Sequence, residues 1–362
     1  MKPPWLLDGV RITGHDAKNL TRPRDHPYNC THDIHFQQRE ALVRIAFVGK
    51  GGSGKTTLSA LFTRHLAHSG APVLAIDGDI NQHLAQALAP NEDSPSTPPP
   101  LGPALSGIKA FLRGTNPRIT SAESMIKTTP PGRGSRLLRL LGDDELHTRH
   151  VARAGGVPLM VTGEFDESDL GVACYHSKLG AVELYLGHLV DGPGEYVVVD
   201  MTAGADAFAS GLFTRFDMTF LVAEPTRKGV SVYRQYRDHA REFGIPLAVV
   251  GNKVNGEDDL LFLKEQVGDD LLTHLVQSDW VRAAEQGRAE SEALDALEPH
   301  NHHALTVLRA TVDAQTRDWD RLHRHAVEFH LRNARAWADA RTGESLAAQV
   351  DPDYVPGPAA VS

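Results

Sequence analysis

Three observations on the 362-residue chain predict an α/β fold, a doubly wound and mainly parallel sheet with helices on both faces. From Val43 onward, short apolar runs alternate with helix-length stretches, as they do when strands are buried on both faces. A glycine-rich turn separates the first run from the first helix. The composition, 41% hydrophobic and 23% charged, is that of an ordinary globular protein.

Taken in order, residues 1–40 are rich in His, Arg, Asp and Pro and read as an irregular extension with no secretory signal. Strands are expected at 44–48, 73–76, 159–162, 196–199, 218–222, 247–250 and 271–275. Helices are expected at 55–68, 178–190, 229–243, 258–266 and through most of 302–339. The main domain then spans 41–290. A proline-rich stretch at 94–100 interrupts the αβ rhythm and opens a helical insertion at about 90–156. Residues 291–350 form a C-terminal helical segment, and the proline-spaced residues 351–362 form a loose tail.

No apolar run approaches the ~20 residues of a membrane-spanning helix, so no membrane insertion is expected. Two cysteines, Cys30 and Cys174, cannot make a disulfide framework, which fits a reducing cytoplasm. Against 46 Asp and Glu stand 37 Lys and Arg, and the net charge of −9 argues against a nucleic-acid partner.

The chemistry concentrates in Val48-Gly-Lys-Gly-Gly-Ser-Gly-Lys-Thr-Thr57, which carries Gly-x4-Gly-Lys-Thr from Gly49 to Thr56 between a predicted strand and helix. Glycines at 49, 51, 52 and 54 let backbone N–H groups around Ser53 turn onto phosphates, and the helix that follows points its positive end at them. Lys55 would neutralise the β- and γ-phosphates of ATP, Thr56 would ligate Mg²⁺, and Thr57 extends the cradle. The same glycines satisfy a dinucleotide fingerprint with Asp77 as ribose ligand. Lys55 followed by a hydroxyl decides for a triphosphate, because a dinucleotide has no use for that pair. Asp77 and Asp79 end the next strand, where carboxylates can hold metal-bound water and orient an attacking one.

With Lys50 included, the loop resembles the deviant Walker A motif of the MinD/ParA superfamily of P-loop ATPases. The resemblance covers roughly 43–276 and implies a P-loop NTPase fold, Mg²⁺-dependent ATP hydrolysis and a nucleotide-dependent homodimer. It implies that Lys50 reaches the partner subunit's phosphates, that Asp79 positions water with Asp77 supporting it, and that Asp200, ending Tyr196-Val-Val-Val-Asp200, contacts Mg²⁺ through water. It further implies that Asn252 bonds the adenine. Within the superfamily the chain leans towards the CooC-type ATPases that insert nickel. Cys174 matches the first cysteine of their Cys-x-Cys segment, but His176 stands where the second would be. Two copies could offer two Cys and two His to nickel or zinc; a packed thiol beside a surface imidazole is the plainer reading.

The expected activity is thus a dimeric ATP-hydrolysing switch that gates a protein or metal partner. A nucleotide sensor without turnover and a ParA-like DNA- or cargo-positioning ATPase are the alternatives. Of the remaining clusters, His26, Cys30, His32 and His35 read as coincidence in a chain with 19 histidines. Asn301, in His300-Asn-His-His303, reads as the cap of a solvated helix start. Val327, Leu331, Ala334 and Trp337 mark the packing face of the last helix, whose mixed charge is unlike a basic membrane-binding helix.

Overall fold

The structure, a computed structural model, describes residues 43–164, 175–192, 194–202, 208, 211–288 and 294–361. Eight strands form one sheet: β1 (Val43–Gly49), β2 (Val73–Gly78), β3 (Ala152–Ala154), β4 (Val157–Val161), β5 (Tyr196–Met201), β6 (Met218–Ala223), β7 (Leu247–Val254) and β8 (Leu271–Val276). Their order is β3-β4-β2-β5-β1-β6-β7-β8, and every neighbouring pair is parallel except β3 with β4. All seven expected strands are present. Only β3, three residues at the sheet edge, lay below what apolar pattern can signal.

Strand β1 is buried at every position because helices cover both faces of the sheet. Its side chains alternate: Val43, Ile45 and Phe47 join one core with α1 (Lys55–His68) and α2 (Leu84–Leu88). Phe47 meets Phe62 and Phe220 there, with ring centroids 5.8 and 5.4 Å away. Ala46 and Val48 join the opposite core with α3 (Leu105–Arg113), α4 (Glu145–His150), α5 (Tyr175–His188), α6 (Tyr233–Glu242) and α7 (Glu257–Val267).

After β8 come α8 (Asp279–Glu285), α9 (Pro299–Asp313), α10 (Trp319–Asn333) and α11 (Asp339–Thr342). The long C-terminal helix expected at 302–339 is therefore interrupted: α9 ends at Asp313, and α10 restarts where the Asp318 carboxylate accepts from Arg321 N at 2.8 Å. Of the expected packing face, Ala334 is buried and Val327 and Leu331 are half-buried, but Trp337 stands exposed; the apolar and imidazole side chains that α10 buries fully are Leu322, His325, Ala326 and His330.

The segment at 90–156 is less helical than expected, with α3 and α4 the α-helices in it and turns between them. Its Leu101, Ile108, Leu112, Ile119, Met125, Leu138 and Leu146 nonetheless belong to the main core. Asp351, the first residue of the expected loose tail, is buried and accepts from Arg133 N at 3.3 Å.

A buried ion network ties α10 to the amino ends of the strands. Asp191 takes Arg44 at 2.8 Å and Arg317 at 2.6 Å, and Arg317 also reaches Asp217 at 2.8 Å. Both guanidiniums lie near the Trp319 ring, 5.7 and 5.0 Å from its centroid.

Candidate functional site

The chain winds from β1 out to β2 and β4, then back through β5 and across β1 to β6, β7 and β8. Such a reversal leaves a crevice outside the carboxyl ends of the central strands. The glycine-rich loop fills it. Gly49 ends β1 where a Cβ would lie 2.5 Å from Val222 O, and Gly54 opens α1 in the left-handed region (φ 88°), where a Cβ would meet Asn252 Nδ2. Only glycine allows these close approaches. The first turn of α1 carries no acidic residue of its own.

Parallel pairing sets Asp77 of β2 opposite Asp200 of β5. Lys55 Nζ donates to Asp79 Oδ2 and lies 3.7 Å from Asp200 Oδ1, while Thr56 Oγ1 donates to Asp200 Oδ2 at 2.6 Å. One lysine thus faces three buried carboxylates. Burial works against its charge, but Asp200, Asp79 and Asp77 outweigh that and raise its pKa. Burial pushes both Asp77 and Asp200 upward, Asp77 further through the neighbouring Asp200 charge, while Lys55 and Thr56 hold Asp200 back.

A cavity of about 580 Å³ opens over this group. Of the residues expected from sequence, Gly51, Gly52, Gly54, Lys55, Thr56, Thr57, Asp79 and Asn252 line it. Ser53 is buried in the loop, its N–H on Lys50 O at 3.0 Å. Lys50 is half-buried and is not among the lining residues. The Asp77 oxygens accept from Asp79 N at 3.1 Å and Leu84 N at 2.8 Å, so Asp77 also organises the turn after β2. Thr57 Oγ1 donates to Glu285 Oε1 at 2.7 Å, and Asn252 Nδ2 donates to Ser53 O at 2.8 Å. Cys174, and the side chain of His176, lie outside the described residues, as do His26, Cys30, His32 and His35.

Sequence reasoning missed the far wall, built by Val276, Gln277, Ser278, Val281 and Arg282. Asn301 positions it. Rather than capping α9, whose N-cap is Glu298, this buried side chain accepts from Val276 N at 2.8 Å and donates to Val276 O at 3.2 Å. No local pattern announces a contact across 25 residues; the Asn-Lys pair ending β7 did carry a signal for Lys253, whose Nζ reaches Gly52 O. Among the described residues, no group of three or more His, Cys, Asp or Glu side chains is arranged to hold a metal ion, and no helix is long and apolar enough to cross a membrane.

The family described as the CobQ/CobB/MinD/ParA nucleotide binding domain matches residues 45–290. An uncharacterized ATP-binding protein of Methanocaldococcus jannaschii is 28% identical over 234 residues, 64% of this chain and 83% of that one. The carbon monoxide dehydrogenase accessory protein CooC of Rhodospirillum rubrum is 26% identical over 265 residues, 73% of this chain and 94% of that one. Among solved structures, the septum site-determining protein MinD of Pyrococcus horikoshii, complexed with Mg-ADP, aligns with a TM-score of 0.47 at 17% identity, over 75% of this chain and 96% of that one.

Proposed function

The chain belongs to the CobQ/CobB/MinD/ParA nucleotide-binding family, and on that premise we propose that it binds ATP with Mg²⁺ and hydrolyses it to ADP and phosphate. One observation carries this reading: Lys55, Thr56 and Asp79 line one cavity at the amino end of α1, with Asp200 buried behind them on Thr56. Loop N–H groups and the positive end of α1 receive the phosphates. Lys55 exchanges Asp79 for phosphate oxygens and offsets the charge that builds up as the terminal phosphoryl group transfers.

Asp79 Oδ1 is held by Asn81 N at 3.0 Å and Asn81 Nδ2 at 3.1 Å. With Lys55 turned to phosphate, Oδ2 faces the cavity and orients the attacking water. For Mg²⁺ the donor set fits: the Thr56 hydroxyl already meets Asp200, and Asp200 Oδ1 is buried with no hydrogen-bond donor among the described residues. Thr56 directly and Asp200 through water would hold the ion, whose positive charge neutralises the β- and γ-phosphates. Lys50, standing outside the cavity wall, is placed in this reading across a nucleotide-dependent homodimer. The output is a change of assembly that gates a protein or metal partner. The likeness to CooC supports that gating.

Asp79→Asn tests the reaction. Turnover falls about 10²-fold or more, as for loss of a positioned base, while ATP affinity stays within about threefold. Unchanged turnover removes Asp79 from the water-positioning role, and a wild type that binds ATP without releasing phosphate is a sensor instead.

A further inference from the structure

We infer that Lys253 is a positioning residue for the phosphate loop, an assignment that rests on the nucleotide-binding reading above. Consecutive residues of a regular strand point to opposite faces, yet Asn252 and Lys253 both reach the same loop. Asn252 Nδ2 donates to Ser53 O at 2.8 Å, and Lys253 Nζ donates to Gly52 O at 2.9 Å. Two neighbouring donors on β7 thus hold two neighbouring carbonyls of the loop.

The backbone is bent to make this possible. Between β7 and β8 the register jumps from Gly251 opposite His274 to Val254 opposite Val276, so three steps along one strand answer two along the other. The extra residue is a bulge, a device that re-aims side chains beside functional sites. Within it Lys253 takes a left-handed conformation (φ 59°), which an unbranched residue other than glycine, Asn or Asp adopts rarely. A strained position in a sheet persists where its surroundings over-determine it. Here the ammonium is held at both ends: Glu224 Oε1, just past β6, accepts from the same Nζ at 2.6 Å.

The ion pair with Glu224 is partly exposed, and such a pair by itself adds little to stability. Its consequence is geometric. Glu224 and Lys253 join the carboxyl ends of β6 and β7 to the tip of the loop, so the Gly52 peptide stays with its Ser53 N–H on Lys50 O at 3.0 Å, and the Gly54 N–H across the Ser53 carbonyl keeps one orientation before the phosphates arrive. Fixing those peptides in advance raises affinity and rate by removing an ordering cost.

Lys253→Gly separates strain from contact, because glycine relaxes the left-handed position and deletes the ammonium. The full chain is compared with Lys253→Gly, Lys253→Arg and Glu224→Gln, reading thermal midpoint, amide exchange at 52–54, affinity for Mg-ADP and turnover of Mg-ATP. Lys253→Gly keeps or raises the thermal midpoint, exchanges about tenfold faster at 52–54 and binds Mg-ADP about tenfold more weakly, in line with loss of one charge-assisted hydrogen bond. Lys253→Arg recovers most of both losses, and Glu224→Gln shows a smaller change in the same direction. Lys253→Gly with wild-type exchange and affinity overturns the assignment, as does a drop in thermal midpoint with affinity unchanged, which marks a purely structural residue. Those results leave wild-type binding intact; a wild type that binds no nucleotide overturns the functional reading and this one with it.

Discussion

Lys55→Ala is expected to lower ATP turnover by about 10³-fold and to destabilise the chain as well. The rate loss follows from removing the cation aimed at the transferring phosphoryl group. The stability loss follows from what remains. Asp77, Asp79 and Asp200 are 0%, 5% and 0% exposed, and Lys55 is the ammonium facing all three. Breaking a buried pair by deleting one partner typically costs about 3–5 kcal/mol. Burial raises the pKa of Asp77 and Asp200, and their protonation limits the cost, so the lower figure applies at neutral pH. The check is a phosphate-release assay beside a thermal melt of the same preparation. Turnover within tenfold of wild type contradicts the role of Lys55, and an unchanged melt contradicts its part in holding the carboxylates.

Asp191→Ala is expected to have the largest effect on folding, about 3–5 kcal/mol and roughly a 5–10 °C fall in thermal midpoint. The substitution leaves Arg44 and Arg317 buried and loosens α10 from the strand ends. Burial opposes the Asp191 charge, but the Arg317 and Arg44 guanidiniums overcome it and hold its pKa well below the carboxylate range. Because the folded value is depressed, this contribution is complete above the unfolded value near 3.8 and is lost only as pH falls below it.

His188 acts in the same direction in a higher pH window. Burial lowers its pKa from 6.5 to about 4, so the unfolded chain takes up the proton first and stability falls as pH drops from 6.5 towards 4. That shift corresponds to roughly 3 kcal/mol. Urea unfolding between pH 7 and 4 therefore has a pH slope that Asp191→Ala leaves in place, while His188→Gln removes from it the acid-side loss that His188 contributes. An Asp191→Ala protein as stable as wild type at pH 7 contradicts the network's role.

The central site was legible because its chemistry is local. Gly49 to Thr57 is one continuous segment, and Asp77, Asp79 and Asp200 end strands whose apolar runs mark them. What the residues do once assembled was less legible. Asp77 spends both oxygens on backbone N–H groups, and Asn252 holds the loop through Ser53, because three-dimensional neighbours claim donors and acceptors that a motif leaves free. The far wall was invisible. Asn301 and Arg282 come from helices whose sequence pattern reports their own packing and says nothing of the cavity they face. The segment at 90–156 misled for a related reason: Leu101, Ile119, Met125 and Leu138 are buried between its helices, where burial has no period.

The most direct test of the account is phosphate release from ATP by the purified full chain, measured with Mg²⁺ and again with the ion chelated. Saturable turnover that depends on Mg²⁺ is expected. Absence of phosphate release under conditions where ATP demonstrably occupies the site would contradict it.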